Sequence, residues 1–87
     1  MPKLLELTYI MLSVRNRYRQ VFEGTVKAVS SFNQKGPFDV LPGHANFISL
    51  IQDSLVIHKN DRERLRLAFQ TGVLKASENR VFIYIVS

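Results

Sequence analysis

The chain contains no cysteine. That absence removes any disulfide framework and any thiolate chemistry, and it is compatible with a reducing compartment. Long apolar runs are missing too. The most apolar segment, Leu4 to Val14, is interrupted by Glu6 and Thr8 and falls well short of the ~20 residues that a membrane helix needs. A single Lys3 precedes it and no small-residue cleavage site follows at a sensible distance, so a signal peptide is not expected. Internal repeats and low-complexity tracts are absent. No helical period extends beyond one or two turns.

What is present is one small, apolar-rich domain. At 87 residues and 46% hydrophobic composition the chain can build a single compact core. A domain of this size buries only somewhat over ~60% of its unfolded surface, which leaves room for a partner to contribute to stability. Acidic residues are the scarce charge, seven against twelve Lys and Arg, giving a net charge of +5 and a pI near 10.0. Such a balance invites a reading as a small basic β-barrel that binds RNA or single-stranded DNA. Much of the excess, however, lies in Arg15, Arg17 and Arg19 and in Arg62, Arg64 and Arg66. Their alternation assigns them to exposed strand faces.

Period two dominates the chain, which predicts strands. Along the first segment Leu5, Leu7, Tyr9 and Met11 share one side, with Glu6 and Thr8 opposite. Tyr18 to Glu23 and Thr25 to Ser31 read as two strands around Gly24, a candidate bulge or bend. A loop from Phe32 to Pro37 follows. Phe47 to Ile51 and Leu55 to Lys59 read as strands separated by Gln52-Asp53-Ser54, and Asn60-Asp61 as a hairpin turn. In the next strand Leu65, Leu67 and Phe69 face inward, while Arg64, Arg66 and Ala68 face outward. Gly72 to Ala76 and Arg80 to Val86 complete the series around the turn cluster Ser77-Glu78-Asn79. Both faces of Val81 to Val86 are apolar, so one packs in the core and the other meets a partner or the opposite sheet. The expected architecture is all-β: a sandwich or barrel.

Catalytic chemistry is not assembled by these residues. His44 and His58 are the only histidines and neither has a carboxylate cluster around it, whereas a metal site needs three or four converging ligands. His44 reads as a hydrogen-bonding or interface residue, and His58, before a turn, as a surface residue. Asp39 beside a turn reads as solvated or turn-stabilising. Gly36, Gly43 and Gly72 have the wrong spacing for a phosphate-cradling loop, so no nucleotide site and no cofactor are expected. Arg15-Asn16-Arg17-Tyr18-Arg19 interleaves an aromatic with cations, but one tyrosine among three arginines lacks the stacking pattern of RNA-binding domains, and direct nucleic-acid binding is not expected.

The most distinctive run is Gly36-Pro37-Phe38-Asp39-Val40-Leu41-Pro42-Gly43-His44-Ala45. Within it Leu41-Pro42-Gly43-His44 reads as a type II turn, with proline setting the second position and glycine supplying the positive φ of the third. The run resembles the signature of the epsilon subunit of F-type ATP synthases, roughly Gly-x-Phe-Gly-[Ile/Val]-Leu-Pro-Gly-His-Ala. Val21-Phe22-Glu23-Gly24-Thr25-Val26-Lys27-Ala28-Val29 is similar to that family's Leu-Phe-x-Gly-x-Val-x-x-Val segment. Phe69-Gln70-Thr71-Gly72-Val73-Leu74-Lys75 resembles its x-x-Gly-Gly-x-Leu-x-Val stretch, and Asn79-Arg80-Val81 its Asn-x-Val. The likeness covers about Leu12 to Val86.

The resemblance implies a two-sheet antiparallel β-sandwich of about eight to ten short strands. It also implies a non-catalytic rotor subunit that links gamma to the ring of membrane c subunits and so couples proton or sodium translocation to ATP synthesis. Such a subunit is peripheral, on the cytoplasmic face of the bacterial inner membrane, and not an intrinsic homo-oligomer. Carried over by position, the c-ring loop is Asn33, Gln34, Lys35, Gly36, Pro37 and Phe38, and the gamma-facing neighbourhood is Pro42, Gly43, His44 and Ala45. The chain departs from the family in having Asn16-Arg17 at the first turn, Thr71-Gly72 for the double glycine and Pro37 where some members place a carboxylate. Residues 1–87 form a single domain in this reading, with 1–10 an N-terminal extension or an extended first strand. The sequence ends at Ser87, before the helical hairpin that follows the sandwich in many members, and inhibition through that hairpin is not expected of these residues.

Overall fold

The computed structural model describes residues 8–43 and 46–86. His44 and Ala45, and the stretch containing Leu5 and Leu7, therefore lie outside the described residues. Seven strands follow in order: β1 (Ile10–Arg15), β2 (Gln20–Val26), β3 (Ala28–Asn33), β4 (Gly36–Val40), β5 (Phe47–His58), β6 (Arg64–Ser77) and β7 (Arg80–Val86). They hydrogen-bond in the spatial order β2-β1-β7-β6-β5-β3-β4. No helix occurs among the described residues.

This single hydrogen-bonded ribbon becomes a two-layer sandwich because β5 and β6 are long enough to serve both layers. The first half of β5 and the second half of β6 continue the β2-β1-β7 layer; their remaining halves continue the β3-β4 layer. The crossing point is a β-bulge. Gln52 pairs with Thr71 and Ser54 with Ala68, so Asp53 alone stands opposite Phe69 and Gln70. Two residues against one bend the strand and increase its twist. The extra residue also resets the alternation: Leu65, Leu67 and Phe69 point inward before the bulge, and Gly72, Leu74 and Ala76 after it. That change of phase is why the sequence reads as two short strands here, where the chain forms one. Counted by layer, the segments number nine, within the expected eight to ten.

Other boundaries shift for local reasons. The break after β2 falls at Lys27, not Gly24, which pairs with Leu12 inside β2. The Phe32 to Pro37 loop contracts to the two-residue tip Gln34-Lys35, because Asn33 Oδ1 accepts the Lys35 amide at 2.8 Å and Gly36 takes φ 118°. Arg17, Arg19 and Arg62 lie in turns, and only Arg15, Arg64 and Arg66 of the two triplets lie in strands. Strand β1 presents Ile10, Leu12 and Val14 to the core, leaving Tyr9 and Met11 on the more exposed side. One pairing is not antiparallel: β1 runs parallel to β7.

The core is aliphatic: Ile10, Leu12, Val14, Val26, Val29, Val40, Ile51, Leu55, Ile57, Leu74, Val81, Ile83 and Ile85 are all buried, with Phe69 the one buried aromatic. Ser31 and Ser54 are the buried polar side chains among the described residues, and Ser31 Oγ donates to the Ser54 carbonyl at 2.8 Å, beside the bulge. Every chain reversal uses asparagine. All five asparagines sit in or beside turns; the side chains of Asn16, Asn33 and Asn60 bond the local backbone, whereas those of Asn46 and Asn79 bond backbone far away in sequence. Asn16 Oδ1 accepts the amides of Tyr18 and Arg19, and Asn60 Oδ1 those of Arg62 and Glu63.

Candidate functional site

Strand β4 separates two candidate contact zones, the β3–β4 tip at its start and the Leu41-Pro42-Gly43 turn at its end. Five residues at ~3.3 Å each put these zones roughly 15 Å apart. At the tip Gln34 and Lys35 are exposed, and Asn33 is anchored by an Nδ2 donation to Ser49 Oγ at 3.3 Å. Pro37 lies on edge strand β4 opposite Phe32, a place where its missing N–H leaves no ladder bond unmade. Phe38 turns the other way. Its ring packs edge-to-face against Phe47, centroids 6.3 Å apart, and against the core. The six tip residues are thus neighbours in the chain, but their side chains divide between solvent and interior.

At the other end Gly43 has φ 78°, the positive value that the type II turn requires of its third position. Pro42 is half-buried and Gly43 exposed. What fastens this turn is not legible in the sequence. Asn79, itself at φ 62° in the two-residue β6–β7 turn, accepts the Gly43 amide on Oδ1 at 3.0 Å and donates Nδ2 to the Tyr9 carbonyl at 2.7 Å. On the far side of positions 44–45, Asn46 Oδ1 accepts the Glu78 amide at 3.0 Å. The only signal available in the sequence was that each of these reversals carries an asparagine.

Between the two ends the outer face of the β2-β1-β7-β6-β5 layer is largely apolar. Ile48 and Leu50 are 69% and 70% exposed, and Met11, Val73, Phe82, Tyr84 and Val86 lie beside them with 41–49% exposure. Register makes this one surface: Leu50 pairs with Val73 and Val73 with Tyr84, while Ile48 pairs with Lys75 and Lys75 with Phe82. The outer side of β7, with either core or partner packing open to it from the sequence, is therefore solvent-facing in this chain.

The opposite layer carries polar groups on its outer face. Ser30 Oγ donates to Asp39 Oδ1 at 2.6 Å and lies 2.9 Å from His58 Nε2. A serine has one proton, and with that proton on Asp39 the imidazole must donate Nε2–H to the serine oxygen. The order is thus the reverse of a nucleophile triad, in which imidazole takes the serine proton and carboxylate holds the imidazole. Lys27, Asp61 and Arg64 border the same shallow groove, with Lys27 Nζ 3.1 Å from Asp61. Among the described residues no three His, Cys, Asp or Glu side chains converge as metal ligands would.

Residues 9–86 match the family model for the ATP synthase delta/epsilon chain β-sandwich domain. The chain is 32% identical over 82 residues to the ATP synthase epsilon chain of Corynebacterium aurimucosum, covering 92% of this chain and 65% of that one. It is 34% identical over 61 residues to the epsilon chain of Sulfurovum sp., covering 69% and 48%. It spans about half to two thirds of the length of such relatives. Among solved structures, a chain of the Euglena gracilis mitochondrial ATP synthase (OSCP/F1/c-ring) superposes with a TM-score of 0.85 at 17% identity, covering 92% of this chain and 52% of that chain. One from the central stalk and c-ring of the Tetrahymena thermophila enzyme gives 0.75 at 8% identity, covering 90% and 63%; both share the fold. A sandwich made by two bent strands, a glycine-proline turn held across its end and a family match running almost its whole length have one explanation: the chain belongs to the delta/epsilon-chain β-sandwich family of ATP synthases.

Proposed function

We propose that this chain serves as the sandwich portion of an epsilon-type rotor subunit in the central stalk of an F-type ATP synthase. It acts as a non-catalytic adaptor, joining gamma to the c-ring so that rotation driven by proton or sodium flow is coupled to ATP synthesis. The place of action is peripheral, on the cytoplasmic face of a bacterial inner membrane, a setting supported by the bacterial source of the relatives. The exposed apolar face of the β7 layer carries this reading. A contiguous patch of Ile, Leu, Val, Phe and Tyr on so small a domain marks a protein interface.

Gamma is the occupant this face fits, because it is continuous with the signature end: Met11 on the face pairs with Arg80, which directly follows Asn79. Pro42 and Gly43, with His44 and Ala45 between them and Asn46, extend the same contact. The c-ring meets the opposite zone, through Asn33, Gln34, Lys35, Gly36 and Pro37, with Phe38 bracing the tip from inside. Each half-exposed Val, Leu or Phe covered by gamma contributes about 1 kcal/mol, half the value of full burial. The rim charge Lys35 contributes little, about 0 to 1 kcal/mol.

Replacing Leu50 and Tyr84 with aspartate tests this directly. Leu50 is largely exposed and Tyr84 about half exposed, so the isolated chain should remain folded with a modestly lowered thermal transition, while co-purification with gamma should be lost. Gamma binding that survives both substitutions refutes the assignment of the face. Binding of single-stranded nucleic acid that weakens steeply with salt, together with no gamma association, would establish nucleic-acid binding as the function of this sandwich instead.

A further inference from the structure

The signature run crosses from the end of β4 to the start of β5. The two residues flanking positions 44–45, Gly43 and Asn46, are both fastened to the β6–β7 turn, by bonds that cross 36 and 32 positions of sequence. Asn79 does more than hold Gly43. Its Nδ2 reaches the Tyr9 carbonyl 70 positions away, and its own carbonyl accepts the Met11 amide at 3.3 Å. One side chain thus joins the start of β1, the β6–β7 turn and the Leu41-Pro42-Gly43 turn. Chemically the position asks for a group that both donates and accepts within one planar fork, and for a residue that enters the left-handed region. Asparagine meets both demands, and aspartate lacks the donor.

We propose that Asn79 is a positioning residue for gamma docking: it sets where the Gly43 turn stands relative to β1 and the apolar face, with Asn46 as its counterpart on the far flank. The proposal rests on the reading that this end of the sandwich meets gamma. Asn79 need touch no part of gamma to act. A turn released from it samples many orientations, and the fraction presenting the docking geometry falls with the observed affinity.

Asn79→Gly isolates the side chain, because glycine adopts the positive φ of this position freely and so keeps the hairpin turn. Two readouts are needed. In the isolated chain, amide hydrogen exchange at Gly43 should accelerate by about tenfold on loss of its acceptor, while far-ultraviolet circular dichroism shows the strands intact; affinity for gamma, by calorimetry on the full-length partner, should weaken by about the same factor. Asn79→Asp retains an acceptor for Gly43 but opposes the Tyr9 carbonyl with a carboxylate, so it should keep Gly43 protected while releasing residue 9. Asn46→Ala provides an independent check, freeing the Glu78 amide and weakening gamma binding without affecting the Tyr9 contact. Unchanged Gly43 exchange in Asn79→Gly overturns the tether. Accelerated exchange with full gamma affinity overturns the positioning role. A wild-type chain that does not bind gamma overturns the rotor reading, whereas the exchange data still decide the tether.

Discussion

Replacing Gly72 with alanine is the sharpest test of how the two layers are packed. Gly72 lies on β6 between Ile51 of β5 and Ile85 of β7, just past the bulge. A Cβ there would stand 2.7 Å from the Tyr84 carbonyl oxygen, 3.2 Å from Ile51 Cγ1 and 3.3 Å from Ile85 Cγ2. The isoleucines can yield by a few tenths of an ångström, but the carbonyl belongs to the β6–β7 ladder and moves only with its strand. Overpacking of this kind costs about 1–3 kcal/mol. Reduced freedom of the unfolded chain returns roughly 0.4–1 kcal/mol. The net destabilisation should be about 1.5 kcal/mol, a fall in Tm of roughly 6–12 °C for a domain of this size. Gly24→Ala is the matched control, since its added Cβ would meet nothing closer than the Phe22 ring at 3.6 Å; it should leave stability unchanged or raise it by up to ~1 kcal/mol. Urea unfolding of both variants, monitored by far-ultraviolet circular dichroism, decides the matter. Equal effects at the two glycines, or a Gly72→Ala variant as stable as wild type, would refute the close-approach argument.

Two further expectations concern the bend. Asp53 holds φ 74° at the bulge, so Asp53→Val should destabilise by about 1–2 kcal/mol, because a β-branched residue resists that region, while Asp53→Gly should be near neutral; thermal melts of the pair check this. Ser31→Ala removes a buried donor to the Ser54 carbonyl, and the midpoint of urea unfolding should fall by the equivalent of about 1–2 kcal/mol with the m-value unchanged.

Much of the strand pattern was legible because period two is a local property. The inward set Leu65, Leu67 and Phe69 and the turns at Asn60-Asp61 and Glu78-Asn79 follow from neighbours in the chain alone. The joining of Gly72–Ala76 to Leu65–Phe69 was not legible, because a bulge and a loop both interrupt the alternation and only the partner strand distinguishes them. The substitution at the family's double glycine is likewise settled by side: Thr71 faces outward, and the close-packed position remains Gly72. Of the candidate contact residues, the turn at Pro42-Gly43 could be read directly from its residue types. That Phe38 turns inward while Lys35 stays in solvent could not.

The sequence by itself determined the class of fold, the residue chemistry of each turn and, through its signature run, the family. Proline and glycine impose their φ values wherever they stand, and asparagine bonds its own backbone before any tertiary contact exists. Only the folded chain decided which apolar face stays uncovered and what holds the signature turn. Ile48, Leu50, Val73 and Tyr84 look in sequence like any core residues, and they become a surface only because the second layer covers the other side of their strands. Asn79 reads as a turn residue and nothing more, until the two layers close and bring Gly43 and Tyr9 to the two ends of its amide.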